Sequence, residues 1–222
     1  MNDMTRLINQ NQAWWLVLRS AACTALVLAA ACGGSDQAQT QTATRSSTQA
    51  GQPAAAVTEK PFAAGGRIEM QLGAGSYTVR LARDSVIRVT LGGNAGTTRV
   101  DVSTADTRAN VLVQETPRRN FEATIEVPQT ADLIIRLTAG DLKVEAIGGN
   151  KDVESNAGNV DIVTGDSQDY ASVDASVQAG DINADAFGES RSGLFSKLTW
   201  SGKGKYTLRA RLIAGNLTLR RR

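Results

Sequence analysis

Histidine is absent from this chain of 222 residues. Ser-His-Asp and Cys-His catalysis and every His-ligated zinc site are thereby excluded. Cysteine is scarce as well: Cys23 and Cys32 both precede the body of the chain, so no disulfide or Cys-rich metal site holds it together. Aromatic residues make up only 5% and the hydrophobic fraction is 41%, while glycine reaches 21 residues, a composition suited to many short strands and turns. The formal charge is +2, falling to +1 without residues 1–31, so no global nucleic-acid signature exists and nucleic acid is not an expected partner. The apolar run at residues 20–31 is 12 residues long, short of the roughly 20 needed to span a bilayer.

What is present is a repeated unit: Ala-Gly, then Asp or Asn, then an apolar residue. It occurs as Ala139-Gly140-Asp141-Leu142, Ala157-Gly158-Asn159-Val160, Ala179-Gly180-Asp181-Ile182 and Ala214-Gly215-Asn216-Leu217. Glycine tolerates positive φ and a close neighbouring backbone, and Asp or Asn can bond its own turn. The next apolar residues, Val144, Ile162, Ala184 and Leu219, continue one strand face, so the unit is a turn that launches a strand. The glycines are 18, 22 and 35 residues apart, a loose period near that of a β-solenoid coil.

The same period-two alternation runs through the rest of residues 62–222. Ile68, Met70 and Leu72 share a face, as do Tyr77, Val79 and Leu81, then Ile87, Val89 and Leu91. Val100 and Val102, Val111 and Val113, and Phe121 to Val127 before Pro128 follow, and Leu133, Ile135 and Leu137 lead into the repeated units. The fold predicted is all-β: a single-domain β-solenoid of stacked short parallel strands, wound at roughly 20 residues per coil into about eight coils. An antiparallel β-sandwich is the alternative, since turns at 8 to 12 residue spacing are its signature too.

The N-terminal residues divide into two segments. Residues 1–31 carry Arg6 and Arg19 before the apolar run and read as a secretory signal peptide. Ala29, Ala30 and Ala31 then lead to Cys32, an arrangement that resembles the lipobox of bacterial lipoproteins, in which the cysteine is acylated and begins the mature chain. Ala29 stands where leucine is usual, with Leu28 one place earlier, and the same alanines also satisfy A-x-A cleavage without acylation. The resemblance, with Gly33 after the cysteine, implies outer-membrane delivery in a diderm bacterium. Residues 32–61 are rich in Gly, Ser, Thr, Gln and Ala without apolar period and read as a disordered tether, with a reach on the order of 30 Å.

Val127-Pro128, the run from Asp132 to Leu137, the Ala-Gly units, and the closing Gly193-Leu194-Phe195 and Trp200-Ser201-Gly202-Lys203-Gly204 resemble the central repeat of the bacterial putative adhesin family of unknown function. The resemblance covers residues 65–220. It implies an envelope-exposed β-solenoid module, sometimes fused to membrane segments in envelope-stress systems, and brings no catalytic residues with it.

Two charged features bear on chemistry. Residues 132–190 hold 12 acidic against 3 basic residues, and Asp141, Asn159, Asp181 and Asn216, taking the same place in successive turns, would form a column of oxygen ligands or a plain turn ladder. The RTX-type calcium spacing is absent. Residues 197–222 carry Lys197, Lys203, Lys205, Arg209, Arg211 and Arg220 to Arg222 with no acid. That tail reads either as a patch for an anionic partner or as outward positions facing the acidic coils.

The function expected is that of an envelope lipoprotein anchored through Cys32, non-catalytic and without cofactor, meeting a surface glycan or an envelope protein. An envelope-stress or assembly module and a calcium-dependent polysaccharide-active enzyme are the alternatives. Fatty-acid labelling of cells expressing the chain should tag it, and Cys32→Ala should abolish the tag; label persisting in that variant refutes acylation at Cys32.

Overall fold

The computed structural model describes residues 56–222. The predicted signal peptide, Cys32 and most of the tether lie outside the described residues. The fold is all-β: among the described residues there are fifteen strands and two single-turn 3-10 segments. The strands are β1 (Val57–Pro61), β2 (Arg67–Leu81), β3 (Val86–Gly93), β4 (Arg99–Ala105), β5 (Arg108–Gln114) and β6 (Phe121–Val127). β7 (Asp132–Val144), β8 (Lys151–Ala157), β9 (Val160–Val163), β10 (Tyr170–Ala179) and β11 (Ile182–Ala184) follow. β12 (Glu189–Arg191), β13 (Leu194–Ser201), β14 (Tyr206–Ala214) and β15 (Leu217–Arg220) complete them. The sheet thus begins one strand before residue 62, because β1 pairs β3 along its whole length.

Two ladders can be traced. The first wall runs β4, β5, the first half of β2, the first half of β7, β8, β14, β10 and β13. The second runs β1, β3, β6, the second halves of β2 and β7, then β9, β15, β11 and β12. Both walls are parallel at the centre and antiparallel at the flanks. The long strands β2 and β7 pass from one wall to the other, and the buried faces of both walls share one hydrophobic core. An antiparallel sandwich therefore describes only the outer strands.

The register shows how the alternating sequence is used. In each of five chain segments three inward positions lie in the first wall, the chain turns at Ala-Gly, and two inward positions follow in the second. Ile68, Met70, Leu72, then Tyr77, Val79 is one such set; Leu133, Ile135, Leu137, then Leu142, Val144 is the next. Alternation changes phase across the turn, since 72 and 77 both point in, and the glycine makes that change possible. The first set belongs to a fifth turn, Ala74-Gly75-Ser76-Tyr77, where serine replaces Asp or Asn. Five such segments stand in place of eight regular coils.

Their order is not sequential. The turn glycines stack as Gly75, Gly140, Gly158, Gly215 and Gly180, because β14 and β15 insert between the segments that hold Gly158 and Gly180. Charge explains the insertion. Sequential stacking would set Asp152 of β8 beside Asp174 of β10, and like charges directly opposite are destabilising. With β14 between them, Arg209 is the cross-strand neighbour of both, and Arg211 reaches Glu154 at 2.8 Å.

A Cβ added to Gly158 would fall far inside 3.0 Å of the Gly140 carbonyl, and φ there is +117°. Gly188 has a positive φ of +73° but open space around its Cα. Gly158→Ala should therefore leave no folded protein, or cost more than ~3 kcal/mol, whereas Gly188→Ala should cost about 1 kcal/mol. Urea unfolding midpoints check both; equal losses would refute the close-stacking account.

Candidate functional site

The column beside the stacked glycines is the sequence-predicted site with definable geometry. Stacking places Asp141, Asn159, Asn216 and Asp181 in that order. The Asn159 amide donates to Asp141 Oδ1 at 3.0 Å, the Asn216 amide to Asn159 Oδ1 at 3.1 Å, and the Asp181 N–H to Asn216 Oδ1 at 3.3 Å. The two asparagines sit between the two acids, so amide donors fill the places that oxygen ligands to a cation would need. No group of three or more acidic, Cys or His side chains suited to a metal ion stands together among the described residues. The column is a structural amide ladder.

The outward faces are rows of alternating charge. On the first wall Arg136 lies 3.2 Å from both Asp152 and Glu154, and Glu154 also meets Arg211. On the second, Glu59, Arg88, Glu126 and Arg80 form a continuous chain of ion pairs across four strands. Burial alone would raise the Glu126 carboxyl, but hydrogen bonds from Arg88 and Arg80 outweigh it and hold the carboxyl below the usual range. Arg220 binds Asp161 at 2.8 Å. Of the basic tail, Arg211 and Arg220 are thus engaged with acidic strands, the second of the two sequence readings. A cleft of about 510 Å³ crosses the first wall, lined by Gln71, Gln114, Glu115, Arg136, Thr138 and Asn156. Its groups can hydrogen-bond a sugar or peptide, and its arginine is already neutralised.

Alternation alone misses the interior lysine. Lys151 occupies an inward position between Leu133 and Leu208, only 3% exposed. Its ammonium donates to the carbonyls of Ile147 at 2.6 Å and Gly149 at 3.2 Å and to the Tyr170 hydroxyl at 3.1 Å. Desolvation pulls its pKa down to about 8, with Asp132 and Asp169 opposing. Tyr170 in turn packs edge-on against Phe187 and Tyr206. A two-residue period marks position 151 as inward and a lysine marks it as outward; only the carbonyl cluster resolves the conflict.

The two most exposed large apolar side chains among the described residues sit at one end of the stack, while Val57 in β1 and Ile213 in β14 are exposed elsewhere. Leu194 is 75% exposed and Phe195 79%, at the start of the edge strand β13. Phe195 also holds a φ of +55°, rare for an aromatic residue. The chain enters the sheet at the opposite end, at β1. Among the described residues no helix is long and apolar enough to cross a membrane.

No protein-family model and no curated protein matches this chain. Among solved structures it is similar to one from Clostridium sporogenes described as a putative cell adhesion protein, at 12% identity and a TM-score of 0.48, covering 76% of this chain and 100% of that one. It is also similar to a putative adhesin from Parabacteroides merdae at 10% identity and a TM-score of 0.29, covering 78% and 93%. A putative lipid binding protein from Parabacteroides distasonis matches at 9% identity and a TM-score of 0.26, covering 51% and 59%.

A lysine held below its unfolded value makes the folded state the weaker proton binder, so stability rises as pH climbs from about 8 toward 10.5. Between pH 7.5 and 9.5 the wild type should gain about 2 kcal/mol relative to Lys151→Met. Chemical denaturation across that window measures the gain; parallel pH profiles for the two proteins would show that Lys151 is not desolvated.

Proposed function

We propose that this chain is an exported envelope protein, held to the membrane by an acylated Cys32 and a tether, whose β-domain is a non-catalytic adhesion and binding surface. The observation that carries the reading is the pair Leu194 and Phe195, exposed at the end of the stack opposite the strand by which the chain enters it. Burying a Leu or Phe side chain in a partner gains roughly 1.5–3 kcal/mol each, so the pair alone can anchor an interface. The exposed edge of β13 adds backbone donors and acceptors beside it, and the polar cleft on the first wall offers further hydrogen-bonding groups. The partners of this reading are a surface glycan or another envelope protein, with no cofactor.

The test is binding of the chain to whole cells and to envelope glycans with and without chelator. Binding should survive chelator, and the double variant Leu194→Ser, Phe195→Ser should weaken it at least about tenfold without lowering the melting temperature. Binding unchanged in that variant would sink the reading. Capture of one envelope protein with no glycan binding moves it to an assembly module, and sugar release abolished by chelator moves it to an enzyme.

A further inference from the structure

We propose that the two ends of the stack are complementary, and that the partner meeting the Leu194–Phe195 end is a second copy of this chain joined end to end. The inference rests on the reading of that end as a binding surface.

The rows of the first wall end in complementary groups at its two edges. One outward row crosses all eight strands as Asp101, Leu112, Gln71, Arg136, Glu154, Arg211, Ser176 and Lys197. It begins in an exposed carboxylate in the middle of edge strand β4 and ends in an exposed ammonium in the middle of edge strand β13. Neither has an ion-pair partner among the described residues. The next outward row ends in Ser103 and Thr199, and the inward row between them ends in Val102 and Leu198.

The strand directions agree with the rows. β4 is antiparallel to β5, which is parallel to β2, and β13 is antiparallel to β10, which is parallel through β14, β8 and β7 to β2. Both edges therefore run the same way. Set against each other in register, they pair as parallel strands, with Asp101 beside Lys197, Val102 beside Leu198 and Ser103 beside Thr199. Continuing the register brings Phe195 alongside Arg99, whose stem and guanidinium can cover the ring.

Each edge by itself carries a mid-strand charge, a device that discourages indiscriminate edge pairing. Brought together, the two unlike edges present opposite charges, apolar against apolar, and hydroxyl against hydroxyl. The second wall contributes less, since its edge strand β1 ends in Pro61, which has no N–H to give. A contact between two different ends of one molecule is heterologous, so repetition yields an open filament, or a ring where the rotation closes, instead of a two-fold dimer.

The experiment uses the full chain in mild detergent, followed by sedimentation and light scattering over a range of concentrations. The wild type should form species that grow with concentration. Asp101→Lys and Lys197→Asp should each weaken association at least about tenfold, and an equimolar mixture of the two, or both changes in one chain, should restore it. Association in either single variant equal to wild type, no restoration by the reciprocal change, or a wild type that stays monomeric overturns the inference. The result is separable from the binding reading: a monomeric chain whose cell binding still depends on Leu194 and Phe195 removes the self-assembly alone.

Discussion

At four of the five turns the space that a side chain would occupy is taken by the carbonyl of the neighbouring turn, and at Gly75 by the Phe121 ring. From Gly140 to Gly75, Gly158 to Gly140, Gly215 to Gly158 and Gly180 to Gly215, a Cβ on the first would collide with the backbone oxygen of the second. Everything else in the domain follows from that close approach. It sets the strands of both walls in one register, aligns Ala74, Ala139, Ala157, Ala214 and Ala179 at the corner, and keeps the inward residues of adjacent strands directly opposite. In a chain with few aromatic residues and no disulfide in its body, this alignment lets Val, Ile, Leu and Ala fill a core with little help from bulkier groups.

Charge then selects among the ways in which identical turns could stack. Five turns of nearly the same shape carry little information about their own order. The outward residues supply it, since the basic strand β14 sits between two acidic ones and relieves the opposition of Asp152 and Asp174. The same arrangement turns Asp141, Asn159, Asn216 and Asp181 into a hydrogen-bonded ladder whose two amides stand between two carboxylates. The acidic middle and the basic tail are two halves of one electrostatic pattern.

The interior tolerates one conspicuous exception. Lys151 replaces an aliphatic residue in a column of leucines and valine, and its ammonium is accommodated by two carbonyls and the Tyr170 hydroxyl instead of a carboxylate. Such a group lowers stability at neutral pH relative to its deprotonated form. Its partners all come from the loop before β8 and from the start of β10, so it ties that loop to β10 across the intervening β14.

Period-two alternation was enough to locate most strands, their inward faces and the turn that joins the walls, because these depend on neighbours a few residues away. Ile68 to Leu72, Ile87 to Leu91 and Leu133 to Leu137 are buried as their spacing requires. The turn at Gly75 was hidden because Ser76 lacks the Asp or Asn of its counterparts, and β8 was obscured because Lys151 and Ser155 take two of its three inward places. Tertiary structure alone decided the order of the stack, the burial of Lys151 and the meeting of opposite charges along each row. Those depend on which strands become neighbours across long gaps, such as the 59 residues between Asp161 and Arg220, and a local period carries no record of that choice.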